Sequence, residues 1–102
     1  MKSEMPKLEV RDNGFFLSGK VTFEQVLPLY RRGVILFESQ ERIGLDISEL
    51  THSDSGILAL LSAWKRWCLG RQKTLELQRP PDALRRLMAL CGTEDLFLPA
   101  LG

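Results

Sequence analysis

Long hydrophobic runs are missing from this sequence. Its longest apolar stretches, such as Ile57-Leu58-Ala59-Leu60-Leu61, end after five residues, against the roughly 20 that a membrane-spanning helix needs. The first residues, Met1-Lys2-Ser3-Glu4-Met5-Pro6-Lys7, lack the apolar segment of a secretion signal. The expectation is a cytoplasmic protein with no direct membrane insertion, held at any membrane by something else. Charge of one sign is also not in excess. With 14 basic and 13 acidic residues and a net charge of +1, no global field draws the chain to nucleic acid. Cysteine and histidine are scarce. Cys68 and Cys91 stand far apart without CxxC or Cys/His spacing, so two buried, reduced thiols are expected rather than a disulfide or a metal site. His52 is the only histidine; with no nucleophile or metal-ligand set near it, it reads as a solvated loop residue. No catalytic constellation, metal or cofactor is expected, and therefore no enzyme.

What is present is enough for one domain spanning residues 1–102. A chain of 102 residues that is 44% hydrophobic and 26% charged has the size and composition of one globular unit. Leu8-Glu9-Val10 and Phe15-Phe16-Leu17 flank Asp12-Asn13-Gly14, and Asn-Gly between β-prone runs signals a hairpin with strands at 7–11 and 14–20. Thr22 with Gln25 makes a capping box. Phe23, Val26, Leu27 and Tyr30 follow at helical spacing as one apolar face, with Pro28 expected to kink that helix. Alternation predicts a strand over 42–47, then a helix from 54 to about 69, and another strand over 73–78. Pro80-Pro81-Asp82 opens a last helix marked by Leu84, Leu87, Met88 and Cys91. The tail holds Leu96-Phe97-Leu98 and is expected to pack on the core as a short turn. The order is ββαβαβα. It implies an α/β fold with a mixed, mostly parallel sheet of about four strands and helices packed against it.

The most informative stretch is Leu45-Asp46-Ile47-Ser48, then Asp54-Ser55-Gly56 and the apolar helix that follows. A buried strand ends, a polar loop turns, and the free N–H groups of a helix start attract acceptors and negative charge. Asp54 is placed as the cap. Gly56 permits close approach of another backbone, and Ser55 presents a hydroxyl at the positive end of the helix. Asp46 could pair with a cation, but at a strand end it is expected to accept backbone N–H bonds in the following turn, although it and Asp54 would oppose a phosphate on Ser55. A regulatory hydroxyl and a plain neighbour of the helix cap both remain open for Ser55.

This pattern, together with the ββαβαβα layout of the whole chain, resembles the STAS family (sulphate transporter and anti-sigma factor antagonist). The resemblance implies that Ser55 stands where anti-sigma factor antagonists are phosphorylated. Val26-Leu27-Pro28-Leu29-Tyr30 and Gly56-Ile57-Leu58-Ala59-Leu60-Leu61 are similar to one branch, the small STAS subunits of Mla-type phospholipid ABC transporters. That likeness implies a cytoplasmic, non-catalytic subunit bound to the transporter ATPase, and through it to the permease. The other branch would make the chain an anti-sigma factor antagonist switched at Ser55.

On the helix that begins near Asp54, the stripe Ile57, Leu60, Leu61, Trp64 and Cys68 suffices to face a core. Leu58, Ala59, Ala63, Trp67 and Leu69 fall outside it. Such an excess of apolar surface suggests a second contact, with Asp54, Ser55, Gly56, Leu58 and Ser62 as the partner-binding residues. The basic residues Lys65, Arg66, Arg71, Lys73, Arg79, Arg85 and Arg86 read as a solvated rim.

Overall fold

The computed structural model describes residues 5–12, 14–51 and 55–92. The elements run β1 (Lys7–Arg11), β2 (Gly14–Gly19), α1 (Phe23–Phe37), β3 (Arg42–Leu50), α2 (Gly56–Leu69), β4 (Thr74–Gln78) and α3 (Asp82–Leu90). The four strands lie in the order β1-β2-β3-β4, the first pair antiparallel and the other two parallel. The expected ββαβαβα order and mixed sheet are both observed.

The boundaries differ in instructive ways. In the hairpin, Arg11 pairs with Gly14, so β1 and the start of β2 fall at the expected positions. Asp12 takes φ +50, a left-handed conformation that short polar side chains tolerate; Asn13 lies outside the described residues. β3 runs on to Leu50 rather than ending at Ile47. The ladder with β2 shifts register between Phe16 and Ser18, and Glu49 and Leu50 then pair with Ser18 and Gly19. Long-range pairing extends a strand whose local pattern has already ended.

Period-two burial gives the sheet two different faces. Leu8, Phe15, Leu17, Ile43, Leu45, Ile47, Leu75 and Leu77 are buried toward the helices. On the other face Lys7, Arg11, Arg42, Thr74, Glu76 and Gln78 are exposed. The Thr22–Gln25 capping box forms as expected, and α1 continues through Pro28 as one helix. Its core face is not the expected one. Leu29, Gly33 and Phe37 are buried, Val26 and Tyr30 pack at their side, and Phe23 and Leu27 stay exposed. The decisive residue is Gly33: a Cβ there would stand 2.4 Å from the Trp64 indole nitrogen, so the bare backbone admits the tryptophan. The indole N–H donates to the Tyr30 carbonyl at 3.2 Å, and its ring meets Phe37 edge-on at 5.3 Å.

α2 is the central helix. Ile57, Leu60, Leu61, Trp64 and Cys68 are fully buried as expected. Leu58 was expected on a free face and is instead 9% exposed and part of the core. On the two flanks of α2, Trp64 touches α1, while Ile57 lines a groove with Ala83, Leu84 and Leu87 of α3. A helix flanked on two sides buries a wider arc than one resting on a sheet alone. Cys91 corrects a second expectation. Cys68 is buried, and burial pushes its thiol pKa up, but Cys91 is exposed at the C-cap, one residue past the last turn of α3. The tail reading at Leu96-Phe97-Leu98 and the loop position of His52 lie outside the described residues. Among the described residues no helix is long and apolar enough to cross a membrane.

Candidate functional site

Two parallel strands deliver two helices to the same edge of the sheet. β2 ends at Gly19, whose φ of +87 releases the chain from the ladder, and α1 starts at Phe23. β3 ends at Leu50, and α2 starts at Gly56. The Thr51 N–H donates to the Gly19 carbonyl at 2.9 Å, which binds the two strand exits together. The helix N-termini therefore stand side by side.

Ser55 occupies the N-cap position of α2. Its carbonyl accepts N–H bonds from Leu58 (3.1 Å) and Ala59 (3.3 Å), which begin the helix. Its side chain is exposed and makes no capping bond. Gly56 is buried behind it and Ser62 is half-buried. Ser55, Ala59 and Ser62 stand at i, i+4 and i+7, so they share one face of small side chains. Of the expected partner-binding residues, Ser55 and Ser62 lie on that face. Gly56 and Leu58 are under it, and Asp54, with its expected capping role, lies outside the described residues.

Asp46 accepts a backbone N–H as expected, and it takes a cation partner as well. It is the one buried charged residue among those described, 3% exposed. It accepts the backbone N–H of Ser48 at 2.8 Å and the Ser48 hydroxyl at 2.7 Å. It also pairs with the Arg79 guanidinium, whose Nε stands at 2.9 Å. Burial acts to raise the Asp46 pKa, but the two Ser48 bonds and Arg79 outweigh it and hold the carboxyl below its ordinary value. Arg79 itself sits at φ +51, strained for a side chain with a Cβ, where β4 turns toward Pro81 and α3. The ion pair grips that corner from the open face of the sheet.

A folded-state pKa lower than the unfolded one stabilises the domain at pH above the unfolded value, and this stability is lost as pH falls toward the folded value. Stability is therefore expected to drop on acidification below about pH 4. Asp46→Asn should lower stability at neutral pH by about 1.5–3 kcal/mol, the worth of hydrogen bonds to a charged group, and flatten the acid limb. Denaturant unfolding at a series of pH values measures both. An unchanged acid limb in the variant would deny Asp46 this role.

The basic rim is only partly free. Lys73 Nζ donates to the carbonyls of Glu38 and Gln40, both at 2.8 Å, at the C-terminal end of α1, where a cation is favoured. Arg71 lies over the Trp67 ring at 4.6 Å. Between the end of β3, the start of α2 and the first turns of α3 there is a groove of about 290 Å³, lined mainly by Leu50, Ile57, Pro81, Leu84 and Leu87. Among the described residues no group of three His, Cys, Asp or Glu side chains could hold a metal ion.

The family profile described as "Mlab, STAS domain" matches residues 12–99. The chain belongs to this STAS domain family. It is 34% identical over 84 residues to the intermembrane phospholipid transport system binding protein MlaB of Haemophilus influenzae, covering 78% of this chain and 80% of that protein. Among solved structures it is similar to the anti-sigma factor antagonist SpoIIAA in its unphosphorylated form, with a TM-score of 0.72, 16% identity, and 94% and 88% of the two chains covered. An anti-sigma factor antagonist from Mycobacterium paratuberculosis matches at a TM-score of 0.64 and 20% identity, covering 95% and 86%. At these identities the two structures establish the STAS fold alone.

The sequence placed Ser55 at the helix start, but it did not identify Arg79 as the cation partner of Asp46 or the core face of α1. The Asp46–Arg79 pair joins residues 33 positions apart, and the only local sign of it was a lone aspartate in an apolar strand. The exposure of Phe23 and Leu27 had a sign as well: Leu29, Gly33 and Phe37 form a competing stripe at i, i+4 and i+8.

Proposed function

We propose that this chain is a non-catalytic accessory subunit that binds the cytoplasmic ATPase of an ABC transporter for phospholipids moving between inner and outer membranes. It supports the assembly or activity of that transporter and meets the permease only through the ATPase. The observation that carries this reading is the 34% identity to MlaB over four-fifths of that protein's length. The exposed Ser55 face agrees with it: small side chains at a helix N-terminus leave room for a partner backbone. Affinity purification from native membranes should recover the ATPase and permease with this protein. Recovery of a soluble kinase in their place would overturn the reading.

A second reading has its own support. The Ser55 hydroxyl is exposed at a helix N-terminus, where a phosphoryl group is electrostatically favoured. The fold matches SpoIIAA in its phosphorylated form as well, with a TM-score of 0.61. In that reading the chain is an anti-sigma factor antagonist switched by phosphorylation of Ser55. The transporter reading needs no phosphate there. Intact mass analysis of protein from its native host should then show a single unmodified species. A substantial population heavier by one phosphate, mapped to Ser55, would decide for the switch.

A further inference from the structure

The groove between the end of β3, the start of α2 and the first turns of α3 continues as an apolar track. Ala83 and Leu87 line the groove, and Leu90 follows at i+7 from Ala83. The three share one side of α3, within about 60° around its axis. Ala83 is exposed, Leu87 is half-buried, and Leu90 is 85% exposed. The track thus leads from the groove to the C-terminal end of α3 and stays open among the described residues. A contiguous open apolar surface of this kind marks a contact.

The chain is redirected at that same end. Gly92 takes φ +68, and its N–H donates to the Ala89 carbonyl at 3.2 Å. A left-handed glycine in this position ends a helix and turns the backbone away from its axis. Residues 93–102 follow and lie outside the described residues. Thr93-Glu94-Asp95 is polar, and Leu96-Phe97-Leu98 is the one run of large apolar residues after α3.

We propose that Leu96-Phe97-Leu98 folds back along this track and seats in the groove. Reach and volume agree. Leu87 and Ala83 lie about 8 and 14 Å back from Gly92 along the axis of α3. Leu96 and Leu98 stand four and six residues beyond Gly92, and extended chain of that length spans about 13–20 Å. An apolar cavity of about 150 Å³ takes a benzene molecule, so a groove of about 290 Å³ has room for a phenyl ring and a leucine side chain. The short tether selects this segment over other apolar occupants. A linker of a few residues gives an effective concentration in the millimolar range, far above that of a second copy or a free ligand. Once filled, the groove buttresses the chain between Leu50 and Ile57, and with it the helix start that carries Ser55. The inference concerns this chain alone and stands apart from the transporter reading.

NMR of the full chain tests it. In the wild type, the Phe97 ring protons should show cross-relaxation with the methyl groups of Ile57, Leu84 and Leu87. Leu96→Ser/Phe97→Ser/Leu98→Ser should shift those methyl resonances and lower the thermal midpoint by more than about 4 °C, since the groove loses its apolar cover. The control Ile35→Ser, at an exposed residue of α1, should do neither. Absence of the Phe97 contacts in the wild type, or contacts of that ring with another part of the fold, would overturn the proposal without any variant having to fold. Unmoved Ile57 and Leu87 methyls in a folded triple variant would overturn it too. Contacts seen only between differently labelled copies would replace the folded-back segment by that of a second copy. Groove methyls that lack the Phe97 contacts and shift with phosphatidylethanolamine–phosphatidylglycerol vesicles would give the groove to an acyl chain instead.

Discussion

Ser55→Arg is expected to abolish recovery of the transporter ATPase while the isolated domain stays folded. Ser55 is exposed and its side chain makes no capping bond, so the substitution should change stability by no more than about 0.5 kcal/mol. That corresponds to a shift of roughly 2–4 °C in Tm for a domain of this size. In a complex the same guanidinium would be pressed against the partner at the positive end of α2. Burying it there without a counter-charge costs more than about 2 kcal/mol, or roughly thirtyfold in Kd. Leu58→Asp is the informative contrast. Because Leu58 is buried, its replacement by a charge should unfold the free domain, and loss of binding would then carry no information about docking. Co-purification and thermal unfolding, run on both variants, separate the two effects. An arginine variant that still recovers the ATPase would place the docking surface elsewhere.

The largest expected loss of stability comes from the contact between α1 and α2. Trp64→Ala removes a fully buried indole that packs on Gly33 and Phe37 and donates to the Tyr30 carbonyl. Large-to-small changes of this kind cost about 3–5 kcal/mol, a large share of the 5–15 kcal/mol typical of a whole domain. Tm should fall by more than about 12 °C. The complementary change, Gly33→Val, places a Cβ where the indole already stands. The clash is with a rigid ring in a packed core rather than with the end of a flexible chain, so α1 must move. Overpacking costs about 1–3 kcal/mol or more. Gly33→Val combined with Trp64→Phe should lose less than the sum of the single losses, since both act on one contact. Denaturant unfolding of the two single variants and the double variant measures this coupling. Simple additivity would mean that Gly33 and Trp64 do not share the contact on which the α1–α2 interface is built.

Much of this protein is written in short-range pattern. Strand alternation, the capping box at Thr22 and Gln25, and the apolar stripe from Ile57 to Cys68 depend on residues within a turn or two of each other. The element order and the mixed sheet followed from them. The start of α2 was legible for the same reason: a polar loop ahead of an apolar helical run marks an N-terminus wherever it occurs. Burial was less legible where two stripes compete on one helix. Phe23, Val26, Leu27 and Tyr30 have the spacing of a core face, yet α1 turns Leu29, Gly33 and Phe37 inward because only a glycine lets Trp64 approach.

Periodicity was sufficient for the fold class, the strand and helix sequence, and the position of Ser55 at the head of a helix. Each of these depends on hydrogen bonds and side-chain directions set within a few residues. Which apolar residues reach solvent was decided by packing. Leu58, outside the stripe expected to face the core, is buried with it all the same. Phe23 and Leu27 are left open because α1 turns Leu29, Gly33 and Phe37 toward the core. The Asp46–Arg79 pair arose in the same way, from two strands brought together by pairing. A side chain's burial depends on elements distant in the chain, so which apolar residues stay exposed becomes visible only once the helices are packed side by side.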